Sequence, residues 1–150
     1  MATLRERPYG QFNFLVDLGT GDSDGADAGF EEVHVPEVWL DVIEYRNGNE
    51  KENSVRKITG LEHCGNALLK RGAIGSLNLY SWYNQVRNGD ENALRTVTIQ
   101  LQNEEHTAVV QTWKLIRARP VRLKWGPLNG KGKEVLVEYL ELACERLEME

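Results

Sequence analysis

The sequence predicts a mainly β domain carrying a single helix. Three observations carry that expectation. Residues 94–102, LRTVTIQLQ, alternate apolar and polar side chains strictly, and residues 11–18, QFNFLVDL, do so with one mild break at Leu15. Only the segment from Ser76 to Gly89 spaces its apolar residues convincingly as a helix does.

Size and charge narrow the class. A chain of 150 residues reads as one domain, 1–150. A domain of this size buries roughly 68–70% of its unfolded surface, so it holds itself together without staples. The formal charge of −5 and pI near 5.3 argue against a nucleic-acid-binding face, where Lys and Arg would dominate. The opening MATLRERPYGQ is charged and no hydrophobic region follows it, so the reading contains neither a signal peptide nor a membrane span. Cys64 and Cys144 lie far apart and match no metal or redox spacing, which is economical for a reduced, cytoplasmic protein.

In chain order, Phe12, Phe14, Val16 and Leu18 form one face of the first strand against Gln11, Asn13 and Asp17. The next stretch, GTGDSDGADAG at 19–29, is a loop by its glycines and aspartates. Asp22, Asp24 and Asp27 hint at calcium, but an EF-hand loop wants glycine at its sixth position and glutamate at its twelfth. Gly25 stands fourth and Val33 twelfth, so a solvated acidic loop is the better account. A short strand over 30–35 is stopped by Pro36, which has no amide hydrogen to give a ladder.

Val38 to Tyr45 then reads as a strand leading into a polar excursion, and Ser54 to Leu61 as the return, followed by a strand over Asn66 to Arg71. The excursion, Arg46 to Lys57, mixes Arg46, Glu50, Lys51, Glu52, Arg56 and Lys57 with Asn47, Asn49 and Asn53. A flexible linker would lack charge and a disordered tail would favour one sign, so this is an ordered hairpin arm. Two readings stand side by side: a solvated hairpin tip, or an arm whose charges pair with another copy of the chain.

Ser76 opens the helix as an N-cap, because its hydroxyl accepts from an unpaired first-turn amide. Leu79, Trp82, Tyr83 and Val86 share one face, which packs on a core, and Gly89 ends the element; the helix is expected over 76–88. Beyond it, 94–102 and 107–116 form an antiparallel hairpin, and 118–125 continues extended, with Pro120 marking a bend or an edge. The loop GPLNGKGK resembles a phosphate loop only at a glance. Three residues, not four, separate Gly126 from Gly130, and Gly132 follows Lys131. In the last segment Glu134, Glu138, Glu141, Glu145 and Glu148 recur as on a helix while Val135, Val137 and Tyr139 alternate as on a strand, and periodicity leaves both open.

No catalytic constellation emerges. His34, His63 and His106 fall in different elements without a sequence-local partner, and His63 and Cys64, being adjacent on a strand, point to opposite faces. The expectation is a protein that is not an enzyme, with no metal and no cofactor.

Five segments carry a family resemblance: RPYGQFNFLVDL, IEYRNGNEKENSVRKITG, LKRGAIGSLNLYSWYNQVRNG, VTIQLQNEEHTAVVQTWKL and GPLNGKGKEVLVEYLELACERLE. In this order they cover nearly the whole chain, which resembles the inner-tube proteins of contractile phage tails and of phage-tail-like contractile injection systems. The stretches at 19–29, at 34–41 and around Cys64 are the least family-like.

The resemblance implies a small antiparallel β-barrel or sandwich with one helix and an extended arm at 46–57, in subunits that close six-membered rings stacked into a hollow tube. It implies a strand for about Glu134 to Ala143, with a frayed or helical end. It also places ring-stacking contacts on Arg46, Asn47, Glu50, Lys51, Asn53, Arg56 and Lys57 of the arm. The implied partners are further copies of the chain, a contractile sheath protein, baseplate and tube-terminator proteins, and possible protein cargo in the lumen, without stable membrane insertion. Such a particle is assembled in the cytoplasm of the producing bacterium, and sheath contraction drives its tube through a target envelope. Two alternatives remain: an adaptor ring at the baseplate, which would not self-stack, and a lipocalin-like small-ligand barrel, which needs an apolar cavity and no arm.

Overall fold

The computed structural model describes residues 2–150. Nine strands and one helix follow in order. They are β1 (Phe14–Asp17), β2 (Glu32–His34), β3 (Val38–Tyr45), β4 (Arg56–Cys64), β5 (Asn66–Gly72), α1 (Asn78–Arg87), β6 (Arg95–Gln102), β7 (Val109–Trp125), β8 (Val137–Ala143) and β9 (Arg146–Met149). Short 3-10 turns at Ala26–Ala28 and Glu91–Ala93 join them. Seven strands form one antiparallel sheet in the order β1-β6-β7-β8-β5-β2, with β9 also paired to β7, while β3 and β4 form a separate two-stranded sheet.

The main sheet folds over at β7. Arg117 takes a positive φ of 53°, and the pairing register slips between Pro120 and Arg122. Before the kink β7 pairs with β6 and β9, and after it with β8, so this 17-residue strand belongs to both halves of a sandwich. The sequence divides this run in two and puts Pro120 at a bend or an edge. The bend is there, and Pro120 also stands where β7 has a partner on one side only: the pairing with β6 ends at Ala118 and β8 alone continues alongside, so a missing amide is tolerated. The sheet remains open: β1 and β2 are unclosed edges, so the architecture is a sandwich rather than a closed barrel.

The core lies between the two halves and under α1. Val16, Leu69, Val97, Ile99, Leu115, Leu140 and Leu142 come from five strands and are all nearly inaccessible. From the helix, Leu79 and Trp82 are buried and Tyr83 and Val86 are half-buried, as their shared face requires. Fully burying an apolar side chain such as Leu79 contributes about 1.5–3 kcal/mol. The Trp82 indole N–H donates to Ala93 O at 2.6 Å, and Arg95 stacks its guanidinium 4.7 Å from the ring centroid. The helix itself begins at Asn78, two residues later than the sequence suggests. The N-cap position therefore falls on Leu77, whose side chain cannot cap, and Ser76 stands one residue before it, its hydroxyl accepting from the Asn78 amide at 3.3 Å. Gly89, at φ 84°, closes the far end in a conformation that side chains rarely tolerate.

The closing segment is a strand, β8, as the resemblance implies, but its end is neither frayed nor helical. After a turn at Cys144 and Glu145 it continues as β9, pairing Leu147 with Leu115 and Met149 with Trp113. Three of the five glutamates that suggest a helix find separate cations: Glu138 pairs with Arg71, Glu145 with Arg117 and Arg119, and Glu148 with Arg146. In the acidic loop, Asp17 accepts from the amides of Gly19, Thr20 and Gly21, and Asp22 accepts from Asp24 and Gly25. Those aspartates hold the chain's turns, and among the described residues no three His, Cys, Asp or Glu side chains converge on a metal position.

Candidate assembly surface

Among the described residues, the hairpin of β3 and β4 pairs with no other strand. Every residue of β3 is exposed, and Val38, Trp39, Leu40, Val42, Ile43 and Tyr45 each leave between 45% and 59% of their surface in solvent. Neighbouring residues on a strand point to opposite faces. Consecutive exposed apolar pairs such as Val38 and Trp39, or Val42 and Ile43, therefore make both faces apolar. Ile58 and Leu61 of β4 extend the same surface. A lone two-stranded hairpin is marginal in water, and a contiguous apolar surface of this kind marks a protein interface.

Local chemistry shapes the stem. The register slips between Leu40 and Val42, leaving Asp41 opposite Gly60. A Cβ on Gly60 would stand 3.2 Å from the Asp41 carbonyl oxygen, so glycine lets the bulged backbone come close. Next to the bulge, Asp41 Oδ2 lies 2.7 Å from His63 Nε2, and the His63 ring stacks on Trp39 with centroids 5.3 Å apart. His34 meets Glu32 at 2.8 Å. Two histidines thus have carboxylate partners, Glu32 being local to His34 where the sequence reading names none and Asp41 reaching His63 from the other strand, but both pairs are exposed and neither sits in an enclosed site.

The charged tip is tied mainly to itself. Arg46 donates through Nε to Glu52 O at 2.9 Å and through Nη2 to Glu50 O at 2.8 Å. Asn47 accepts from the Tyr45 hydroxyl and donates to Glu50 Oε1 at 3.2 Å, while Arg56 reaches that same carboxylate at 3.1 Å. Four of the seven arm residues singled out from sequence, Arg46, Asn47, Glu50 and Arg56, are therefore brought together within one chain. The other three, Lys51, Asn53 and Lys57, are exposed and have no side-chain hydrogen bond or ion pair among the described residues. The sequence reading attends to this polar tip and passes over the apolar stem. The run VWLDVI, with too few polar residues to give either face to water, carries the signal.

The sequence is consistent with what this shape suggests. Residues 10–148 match the family described as T4-like virus tail tube protein gp19. The chain belongs to that tail tube family. Like other members it is a structural protein, built mainly of antiparallel strands with one helix. A chain in the baseplate structure of the anti-feeding prophage is similar at 26% identity, covering 97% of each chain with a TM-score of 0.80. One in the sheath-tube complex of the extracellular contractile injection system PVC, in its extended state, is also 26% identical, over 97% of this chain and 93% of that one, with a TM-score of 0.82. Hcp1 from Flavobacterium johnsoniae shares the fold alone, at 14% identity and a TM-score of 0.53 over 91% of this chain and 93% of that one. No curated protein sequence matches significantly.

Proposed function

We propose that this chain, acting as one domain over 1–150, is the repeating subunit of the hollow inner tube of a contractile phage-tail-like particle. Six copies close a ring, and rings stack into a tube that sheath contraction drives through a target envelope. The observation that carries this reading is the β3–β4 hairpin, apolar on both faces and uncovered within its own chain. In a ring the stem lies against a neighbouring copy. The contact is heterologous, one surface meeting a different one, and it closes by rotation. The tip, with Lys51, Asn53 and Lys57 free to reach out, meets the next ring along the axis. The edges at β1 and β2 offer further joints between neighbours.

The work of such a subunit is mechanical and involves no catalysis. Its partners are other copies of the chain, a sheath protein outside, baseplate and terminator proteins at the ends, and protein cargo in the lumen. Assembly takes place in the cytoplasm of the producing bacterium. The acidic balance suits walls that must not adhere to what slides past them.

Electron microscopy of the purified chain, with sedimentation at high concentration, tests the proposal: rings or tubes are expected, and a strictly monomeric species overturns it. Val42→Glu combined with Ile43→Glu places a charge on each face of the stem. This variant is expected to fold and remain a monomer. The similarity to a chain in a baseplate structure favours one second reading, an adaptor ring at the baseplate. Such a protein forms rings that do not stack on themselves, and the same micrographs separate the two.

A further inference from the structure

Cys64 and Cys144 stand 80 positions apart in the chain, yet their sulfur atoms lie 2.9 Å from each other. Three strands bring them together. Cys64 is the last residue of β4, Cys144 follows β8 directly, and the pairing of Asn66 with Ala143 sets the ends of β5 and β8 side by side. Both thiols are half-buried, so neither is sealed from a small solute. Backbone bonds steady the place: the Gly65 amide donates to Glu37 O at 2.8 Å and the Glu145 amide to Ile116 O at 3.0 Å. A disulfide needs its sulfurs about 2.05 Å apart, a closure of under about 1 Å from here.

We infer that Cys64 and Cys144 form a reversible intrachain disulfide that fastens the root of the β3–β4 hairpin to the end of β8. Hydrogen peroxide is a sufficient oxidant. Burial pushes the Cys144 thiol up to about 12, with its contact to Cys64 adding to the effect. The thiolate of one cysteine attacks one peroxide oxygen. The O–O bond breaks, and the departing hydroxide takes a proton to become water, leaving a sulfenic acid. The sulfur of the other, losing its proton, then attacks the oxidised sulfur: the S–S bond forms, the S–O bond breaks, and the hydroxyl leaves as a second water. Two thiols lose two electrons and the peroxide becomes two waters. A thiol reductant reverses the link.

The consequence is positional. Within the described residues the hairpin shares no sheet with the body, so its angle is set at its root. A covalent tie at Cys64 holds that root to the main sheet. It also closes a long loop of the unfolded chain, which stabilises the folded state.

The test uses the full chain with dithiothreitol or with hydrogen peroxide, and it reads the subunit's chemistry rather than its assembly. Proteolytic mapping is expected to show one new linked pair of peptides, containing Cys64 and Cys144, after peroxide and not after dithiothreitol. Titratable thiols fall from two to none, and the thermal midpoint rises by several degrees. Cys64→Ser and Cys144→Ser each keep one thiol and lose the peroxide-dependent rise. Two thiols surviving peroxide, links only between separate chains, or sulfinic acid without the linked peptide would each overturn the inference. The wild-type map decides this even where a serine variant folds poorly.

Discussion

Arg71 and Glu138 form an ion pair of 2.8 Å inside the subunit, the guanidinium only 1% exposed and the carboxylate 13%. The same guanidinium donates to Asp27 O at 2.8 Å and to Asn78 Oδ1 at 2.7 Å. One side chain thereby ties β5 and β8 to the acidic loop and to the first residue of α1. Removing one partner leaves the other charged and buried, which costs about 3–5 kcal/mol. Arg71→Met and Glu138→Leu are each expected to lower unfolding free energy in urea by that amount. The double variant should lose clearly less than the sum, and additive losses would mean that the two residues act independently.

Trp82 holds the helix to the body. Trp82→Ala removes the largest fully buried side chain and is expected to cost about 3–5 kcal/mol in denaturant unfolding. Trp82→Phe keeps most of the volume but strips the donor from Ala93 O, a loss of about 1–3 kcal/mol. A phenylalanine variant as unstable as the alanine one would place the interaction in the hydrogen bond and not in the ring's volume.

The N-terminal segment carries a pH dependence of definite sign. Hydrogen bonding from Arg5 holds the Glu104 carboxyl down at about 2 against an ordinary 4.5, and the pair is fixed at 2.6 Å. A carboxylate with a lowered folded value contributes above its unfolded value and loses that contribution as pH falls through the folded one. The segment, also held by the Thr3 amide on Val110 O and the Tyr9 hydroxyl on Thr3 O, is thus expected to loosen between about pH 4.5 and 2. Amide exchange at Thr3 followed against pH measures it. Glu104→Gln should flatten the profile, and a wild-type profile already flat would remove the pair from the account.

The arm tip separates folding from assembly. Deleting Gly48 to Asn53 removes exposed polar chain and is expected to leave thermal unfolding nearly unchanged while tubes fail to grow. Exposed ion pairs such as Arg56 with Glu50 contribute about 0–1 kcal/mol each, so single reversals are expected to be silent. Lys51→Glu combined with Arg56→Glu, repeated around every ring, should shorten tubes in electron micrographs. Full-length tubes from the deletion would reduce the arm to a solvated tip, and an unfolded subunit would make it part of the fold.

Elements specified by near neighbours were legible from residues alone. The alternation of Val97 and Ile99 against Thr98 and Gln100 yields β6 almost to the residue, and Leu79, Trp82 and Gly89 yield α1 within two. Side-chain period and backbone conformation are local properties, so a short window contains them. The closing segment resists because Val137 and Tyr139 argue for one structure and the spaced glutamates for another. Its strands exist because β5 and β7 lie on either side of β8, and no local window contains those neighbours.

By itself, then, the sequence determined the mainly β class, the single helix, the acidic loop and a polar arm between two strands. Tertiary structure alone decided that β7 turns through one kink into both halves of the sandwich. It also decided that Cys64 meets Cys144 across 80 positions and that the stem leading to the arm stands uncovered. Each depends on strand pairing between distant segments, whose register is set by the shared core they bury together and not by the residues of either strand alone.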